Sequence, residues 1–221
     1  MKLFISAFTK TVFGLLLIGA MLFLPAGGFN YPHGWLFLAL LFIPMIPMGI
    51  VMLIKAPALL QKRLDAKEKL GGQRSIIALS GLVFLSAFII SALDHRFSWS
   101  SVPLWLVITA SVLFLLGYGG YMEVMRENEY LSRTVKVEGG QRVIDTGLYG
   151  IIRHPMYLAT LLMFLPIPLI LGSFIGLIPI AFYIPLIVAR IIGEEKLLSA
   201  ELSGYGEYKK KVKYRLIPFI W

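Results

Sequence analysis

The stretch Gly147–Phe164, GLYGIIRHPMYLATLLMF, sets Arg153, His154 and Pro155 directly against a run of membrane-type residues. Pro155 disfavours the helical region for His154 and suits the first turn of a helix, where its missing N–H costs nothing. A helix is therefore expected to begin at Pro155 and to enter lipid within a turn. Upstream, Asp145-Thr146-Gly147 reads as a turn opening a short helix that carries Tyr149 toward Arg153.

The same apolar character extends over the whole chain. Of 221 residues, 58% are hydrophobic, well above the 45–50% or so of ordinary soluble domains. Spanning a hydrocarbon core of about 30 Å takes roughly 20 helical residues, and helices satisfy their own backbone polar groups in lipid. Six apolar segments are expected to span: 11–26, 34–54, 76–93, 102–122, 157–171 and 174–189. The first is read as a retained span, because no small-residue cleavage site follows it. The fold expected is an all-α integral membrane protein of about six helices.

The net charge of +9 is a matter of topology and does not point to nucleic acid. Twenty of the 21 Lys and Arg residues fall in the N-terminal segment, in alternate connections and in the C-terminal segment, and only Arg96 lies on the opposite side. The positive-inside rule makes the basic side cytoplasmic and places both termini there. There is no cysteine, and the three histidines, His33, His95 and His154, lie in separate segments. Thiol chemistry is excluded, and no metal site is expected.

The last two segments carry Pro166, Pro168, Pro179 and Pro185, with Gly172-Ser173 between them. They are expected to form a Pro-kinked helical hairpin whose first arm, about 22 Å long, falls short of the far surface. GYGGY at 117–121 lies inside a span with no preceding strand, so it reads as helix packing and not as a phosphate loop. The chain divides into residues 1–116, a scaffold of transmembrane helices, and 117–221, a C-terminal half bearing the site. The connection 55–75 reads as an amphipathic surface segment, and TVKVEGGQRVI at 134–144 as a short extended turn.

Polar chemistry collects on either side of the hairpin, on one membrane side. Arg153 and His154 precede it; Arg190, Glu194 and Glu195 follow it, with Arg190 and Glu194 spaced to share a helix face. Ionisable groups at a membrane boundary are costly and usually face a partner or polar cavity. A pocket of cations, carboxylates and aromatic rings beside lipid suits a charged cofactor meeting a lipophilic substrate that arrives from the bilayer.

GLYGIIRHPMY, a hairpin, RIIGEEKLL and then GYGEYKKKVKYRLIP together resemble the isoprenylcysteine carboxyl methyltransferase family, related to the phospholipid N-methyltransferases. The resemblance covers Gly117 to the C-terminus. It implies S-adenosylmethionine as cofactor in a cytoplasm-facing pocket. Gln141, Val143, Gly147, Leu148 and Tyr149 match the region bordering the cofactor. Arg153, His154 and Tyr157 match the motif that meets it, and Glu194 with Glu195 the acidic pair beside it. Arg190 and Glu194 match the pair near the reacting centre, and Tyr205 and Tyr208 stand as substrate-side residues. Gln141 occupies a region where members commonly carry a His, and Leu148 a position where Pro is common.

The methyl acceptor, a prenylcysteine-type carboxylate or a lipid amine or thiol, is not readable. Nor is the oligomeric state. Membrane sterol reductases carry a similar Arg-His-Pro-x-Tyr stretch, so a nicotinamide-dependent enzyme is the alternative. A transporter or scaffold is the third reading, and few ionisable residues fall at mid-membrane to favour transport.

Overall fold

The structure is a computed structural model, and it describes residues 1–64, 71–132, 134, 137 and 139–221. Among these, every regular element is helical. In chain order they are α1 (Lys2–Ala26), α2 (Pro32–Lys55), α3 (Pro57–Leu64), α4 (Gly71–Phe97), α5 (Leu104–Glu127) and a 3-10 turn (Gly147–Gly150). Then follow α6 (Pro155–Phe164), α7 (Ile167–Ile170), α8 (Leu177–Ala181), α9 (Tyr183–Glu201) and α10 (Tyr205–Lys211).

Among the described residues, five helices are long and apolar enough to cross a membrane: α1, α2, α4, α5 and Leu177–Glu201, which joins α8 to α9. The expected fifth span is the exception, a shorter apolar segment over Pro155–Ile170. Helix ends also lie outside the expected bounds. α4 begins at Gly71, five residues before the apolar run, and α9 continues to Glu201. Polar first and last turns remain helical because their unpaired backbone groups can be solvated. Part of the 55–75 connection is α3; residues 65–70 lie outside the described residues, as do 135, 136 and 138 of the expected extended turn.

The hairpin breaks where its prolines dictate. A proline removes one helical hydrogen bond and crowds the carbonyl four residues earlier. α6 ends at Phe164, four before Pro168, and α8 ends at Ala181, four before Pro185. The tip turns at Gly172, whose φ of +79° is a left-handed conformation. Despite its short first arm, the hairpin tip reaches the end of α4. The buried Asp94 near the end of α4 accepts from Ser173 at the tip and from both the backbone N (2.6 Å) and hydroxyl (2.6 Å) of Ser100. The Phe174 backbone N donates to Ser100 Oγ at 3.0 Å, and the Tyr31 hydroxyl to the Leu171 carbonyl at 2.7 Å.

The other side of the hairpin packs tightly on α5. A Cβ on Gly117 would lie 2.7 Å from the Met163 backbone N and 2.8 Å from the Ala159 carbonyl. The small residue at 117 thus sets the α5–α6 separation, as the GYGGY pattern implies. Around this contact Phe37, Phe114, Tyr118, Met163 and Ile170 form the central apolar cluster.

Gly117→Val is expected to force α5 and α6 apart and cost about 1–3 kcal/mol, seen as a lower melting temperature in detergent. Gly119→Val, where a Cβ meets nothing within 4 Å, is the matched control and should stay near the parent.

Candidate active site

Below the hairpin, at the end of the bundle that carries most of the basic residues, the chain encloses a narrow cleft of about 100 Å³, smaller than the 300–1,000 Å³ or so typical of small-molecule sites. Three segments build it: the polar connection after α5, the Arg153–Tyr157 corner, and α9 with α10.

At the corner His154 has a non-helical backbone (φ −126°, ψ 58°) and Pro155 is the first helical residue, as the sequence implies. This kink turns Arg153 and His154 inward, where both are buried. Their backbone N–H groups donate to the carbonyls of Tyr214 (2.9 Å) and Arg215 (2.9 Å). The Arg153 guanidinium also donates to the carbonyls of Val212 (2.7 Å) and Lys213 (2.8 Å). The C-terminal segment is therefore tied to the corner by four hydrogen bonds.

α9 presents its two carboxylates to different neighbours, because successive helical residues point about 100° apart. Glu195 is 5% exposed and turns away from the cleft. Its Oε1 accepts from Arg153 Nε (2.6 Å) and lies 3.3 Å from His154 Nε2; its Oε2 accepts from Arg215 Nε (2.8 Å). Glu194 faces the cleft and accepts from the Tyr157 hydroxyl. That hydroxyl in turn accepts from Arg190 Nε at 3.1 Å, so Tyr157 bridges the two charged residues spaced i, i+4.

Arg190 has a second hold. Its Nη1 donates to Gln73 Oε1 (3.1 Å), while Gln73 Nε2 donates to the Arg190 carbonyl (3.3 Å). Gln73 is buried near the start of α4, and a Cβ on Gly193 would collide with its amide, so the glycine leaves room for it. Across the cleft, Asn128 Nδ2 donates to the Tyr149 hydroxyl (2.9 Å) and the Tyr208 hydroxyl to the Tyr149 carbonyl (2.7 Å). Burial pushes the Tyr149, Tyr205 and Tyr208 hydroxyls well above the ordinary tyrosine value, so they remain protonated donors near neutral pH.

Of the residues the sequence singles out, Gln141, Val143, Tyr149, Arg153, His154, Tyr157, Arg190, Glu194, Tyr205 and Tyr208 line the cleft. Gly147, Leu148 and Glu195 do not line it. Gly147 has φ +49°, and a Cβ there would run into the Glu127 carboxylate, which accepts from the Leu148 backbone N at 3.1 Å. These two residues shape the turn behind Tyr149. Gln73 and Asn128 carry no local signal in the sequence; each joins the site through a contact with a residue more than twenty positions away.

The lining is chemically suited to S-adenosylmethionine. One carboxylate and several tyrosine rings suit a sulfonium cation, which is attracted both by negative charge and by aromatic faces. The Tyr205 hydroxyl is buried without a hydrogen-bond partner among the described residues, a donor and acceptor left for a polar ligand group. Among the described residues no group of three His, Asp or Glu side chains is placed to hold a metal ion.

The phospholipid methyltransferase family model matches residues 105–203, from α5 through α9. That match supports a membrane methyltransferase of the broader integral membrane group and does not single out the isoprenylcysteine branch. A delta(14)-sterol reductase of Mus musculus is 30% identical over 91 residues, 40% of this chain and 22% of that protein. One from Methylotuvimicrobium alcaliphilum is 26% identical over 138 residues, 54% of this chain and 32% of that protein. The chain thus spans a third or less of these curated relatives. They lend the reductase alternative some weight, though no more than the methyltransferase reading has.

Removing one partner of a buried ion pair strands the others. Glu195→Ala should lower stability by about 3–5 kcal/mol, measured as a loss of melting temperature in detergent, whereas Glu194→Gln at the cleft wall should melt near the parent.

Proposed function

We propose that this chain is an integral membrane methyltransferase that uses S-adenosylmethionine and methylates a lipophilic acceptor at the cytoplasmic leaflet. The observation that carries this reading is the junction of Glu194, Tyr157 and Arg190 in a cleft at the foot of an apolar hairpin. The family match, which includes all three residues, supports it.

S-adenosylmethionine, when bound, would supply a methyl group on a sulfonium centre: an acceptor lone pair would bond to the methyl carbon as the S–CH3 bond breaks, and the neutral thioether would leave with the bonding electrons. In this reading Glu194 sets a negative potential that favours that cation. Tyr149, Tyr157, His154 and the connection bearing Gln141 and Val143 border the cofactor, and Arg153 and Glu195 hold the corner that places them. Arg190, fixed by Tyr157 and Gln73, orients an anionic acceptor, with Tyr205 and Tyr208 on the substrate side. Such a displacement is accelerated chiefly by positioning. A carboxylate acceptor needs no base; an amine or thiol must lose a proton, which Glu194 or His154 can take. The acceptor is a prenylcysteine-type carboxylate or a lipid amine or thiol, and the active site opens to the cytoplasm because the cleft shares its end of the bundle with the basic connections.

Calorimetric titration of the purified protein in detergent should show binding of S-adenosylhomocysteine and none of NADPH. Glu194→Ala should weaken binding of S-adenosylmethionine, whose sulfur is cationic, by at least about tenfold, and that of the uncharged-sulfur S-adenosylhomocysteine less, while the fold melts as before. Binding of NADPH in place of S-adenosylhomocysteine would transfer the assignment to a reductase. Gln73→Leu should reduce turnover more than cofactor affinity, by about tenfold in kcat, because it releases Arg190 and leaves Glu194 in place. Equal losses in both would remove Arg190 from the acceptor side.

A further inference from the structure

From α10 to Trp221 the chain carries exposed lysines and an apolar turn that the proposed reaction does not use. From Tyr205 to Trp221 there are five basic residues and one acidic one. Lys210, Lys211 and Lys213 are exposed, and the segment then closes in a tight turn. In that turn the backbone N of Ile220 donates to the Ile217 carbonyl at 3.2 Å and that of Trp221 to the same carbonyl at 3.1 Å. Phe219 sits at φ +65°, a conformation rare for a residue with a side chain. The turn leaves Phe219 88% and Ile220 77% exposed.

The position of this turn decides what it meets. Leu216 is buried in one apolar cluster with Tyr157 of α6 and Tyr183, Ile187 and Ile191 of α9, and Trp221 packs against that cluster. Ile187 lies eight residues ahead of Glu195, about 12 Å farther along α9 toward the hairpin tip. Arg215, next to Leu216, holds Glu195. The chain therefore passes the polar corner and turns back along the apolar part of a candidate membrane span. Tyr214, whose ring lies 5.2 Å from that of Phe219, and Trp221 beneath the Arg215 guanidinium at 5.1 Å provide amphipathic rings at the boundary.

We infer that residues 213–221 form a membrane-seated wedge. Phe219 and Ile220 enter the acyl region of the leaflet on the cleft side, and Lys209, Lys210 and Lys213 lie among anionic headgroups. An exposed apolar pair in water would be a liability, whereas at this depth it is buried in lipid. Basic residues just outside the apolar tip gain from negatively charged lipid. The surface pairs of Lys210 with Glu207 (2.8 Å) and of Lys211 with Asp145 (2.6 Å) are exposed and give way readily to headgroup phosphates. The same segment supplies the carbonyls that hold Arg153, so the wedge anchors one wall of the cleft to the membrane. Neither a methyl donor nor an acceptor enters this inference, and it stands apart from the proposed activity.

The chain has no cysteine, so a bimane fluorophore can be placed uniquely through Ile220→Cys, with Glu207→Cys on exposed α10 as the aqueous reference. The full chain is reconstituted in nanodiscs of phosphatidylcholine and phosphatidylglycerol in equal parts. Iodide should quench position 220 at least about fivefold less than position 207, and doxyl-labelled lipid should show the reverse order. Doxyl-phosphatidylglycerol should quench position 220 about twofold more than doxyl-phosphatidylcholine, a preference lost in the Lys209→Gln, Lys210→Gln, Lys213→Gln variant. Iodide quenching at 220 equal to that at 207 overturns the wedge. So does protection from both iodide and lipid quenchers, which would mean that a second protein surface covers the turn. Equal quenching by the two lipids in the parent overturns the anionic preference.

Discussion

One buried carboxylate organises the working end of this protein. Glu195 cannot reside unpaired at 5% exposure, because the desolvation of an isolated charge is prohibitive. Its two oxygens are therefore shared among Arg153, His154 and Arg215, which come from α9's two neighbours, the corner before α6 and the C-terminal segment. Arg153 in turn takes up two carbonyls of that segment. A buried ion pair of this kind adds little net stability over an apolar replacement, but breaking it is costly. Its effect is to specify one arrangement of three chain segments.

That arrangement leaves Glu194 free to face the cleft. One helical position separates the structural carboxylate from the one that meets the cavity, and the 100° step between them divides the roles. Tyr157 completes the division. It starts at the end of the corner held by Glu195, yet its hydroxyl joins Glu194 to Arg190. The geometry of the cleft is thus inherited from an interaction that lies outside it. At the opposite end of the bundle Asp94 plays a comparable part for the hairpin tip, with donors from Ser100 and Ser173.

Much of this was legible in the residues. Long apolar runs, the placement of Lys and Arg, and the Pro155 start of α6 follow from local rules of burial and backbone geometry. Spacing alone put Arg190 and Glu194 on one face. The unequal fates of Glu194 and Glu195 were not legible, since two adjacent carboxylates read alike until the neighbouring segments are in place. Gln73 was equally hidden: a single glutamine after Gly71-Gly72 has no pattern, and its role arises from the packing of α4 on α9 beside Gly193. Leu148 and Gly147 match a cofactor-bordering motif, yet they stand behind Tyr149, because the Glu127 carboxylate occupies the space above Gly147.

Local patterns in the chain make it helical and membrane-embedded, set its polar chemistry on either side of one proline-broken hairpin, and mark where that hairpin begins. Those are consequences of hydrophobicity, charge placement and proline's missing N–H, each of which acts over a few residues. Which charged groups lock the fold and which face the cavity emerges only when distant segments pack together, as do the contribution of Gln73 from the first half and the placement of the C-terminal turn on the apolar cluster of α9. Such outcomes depend on which distant surfaces meet, and a buried charge takes its role from the partner it finds there.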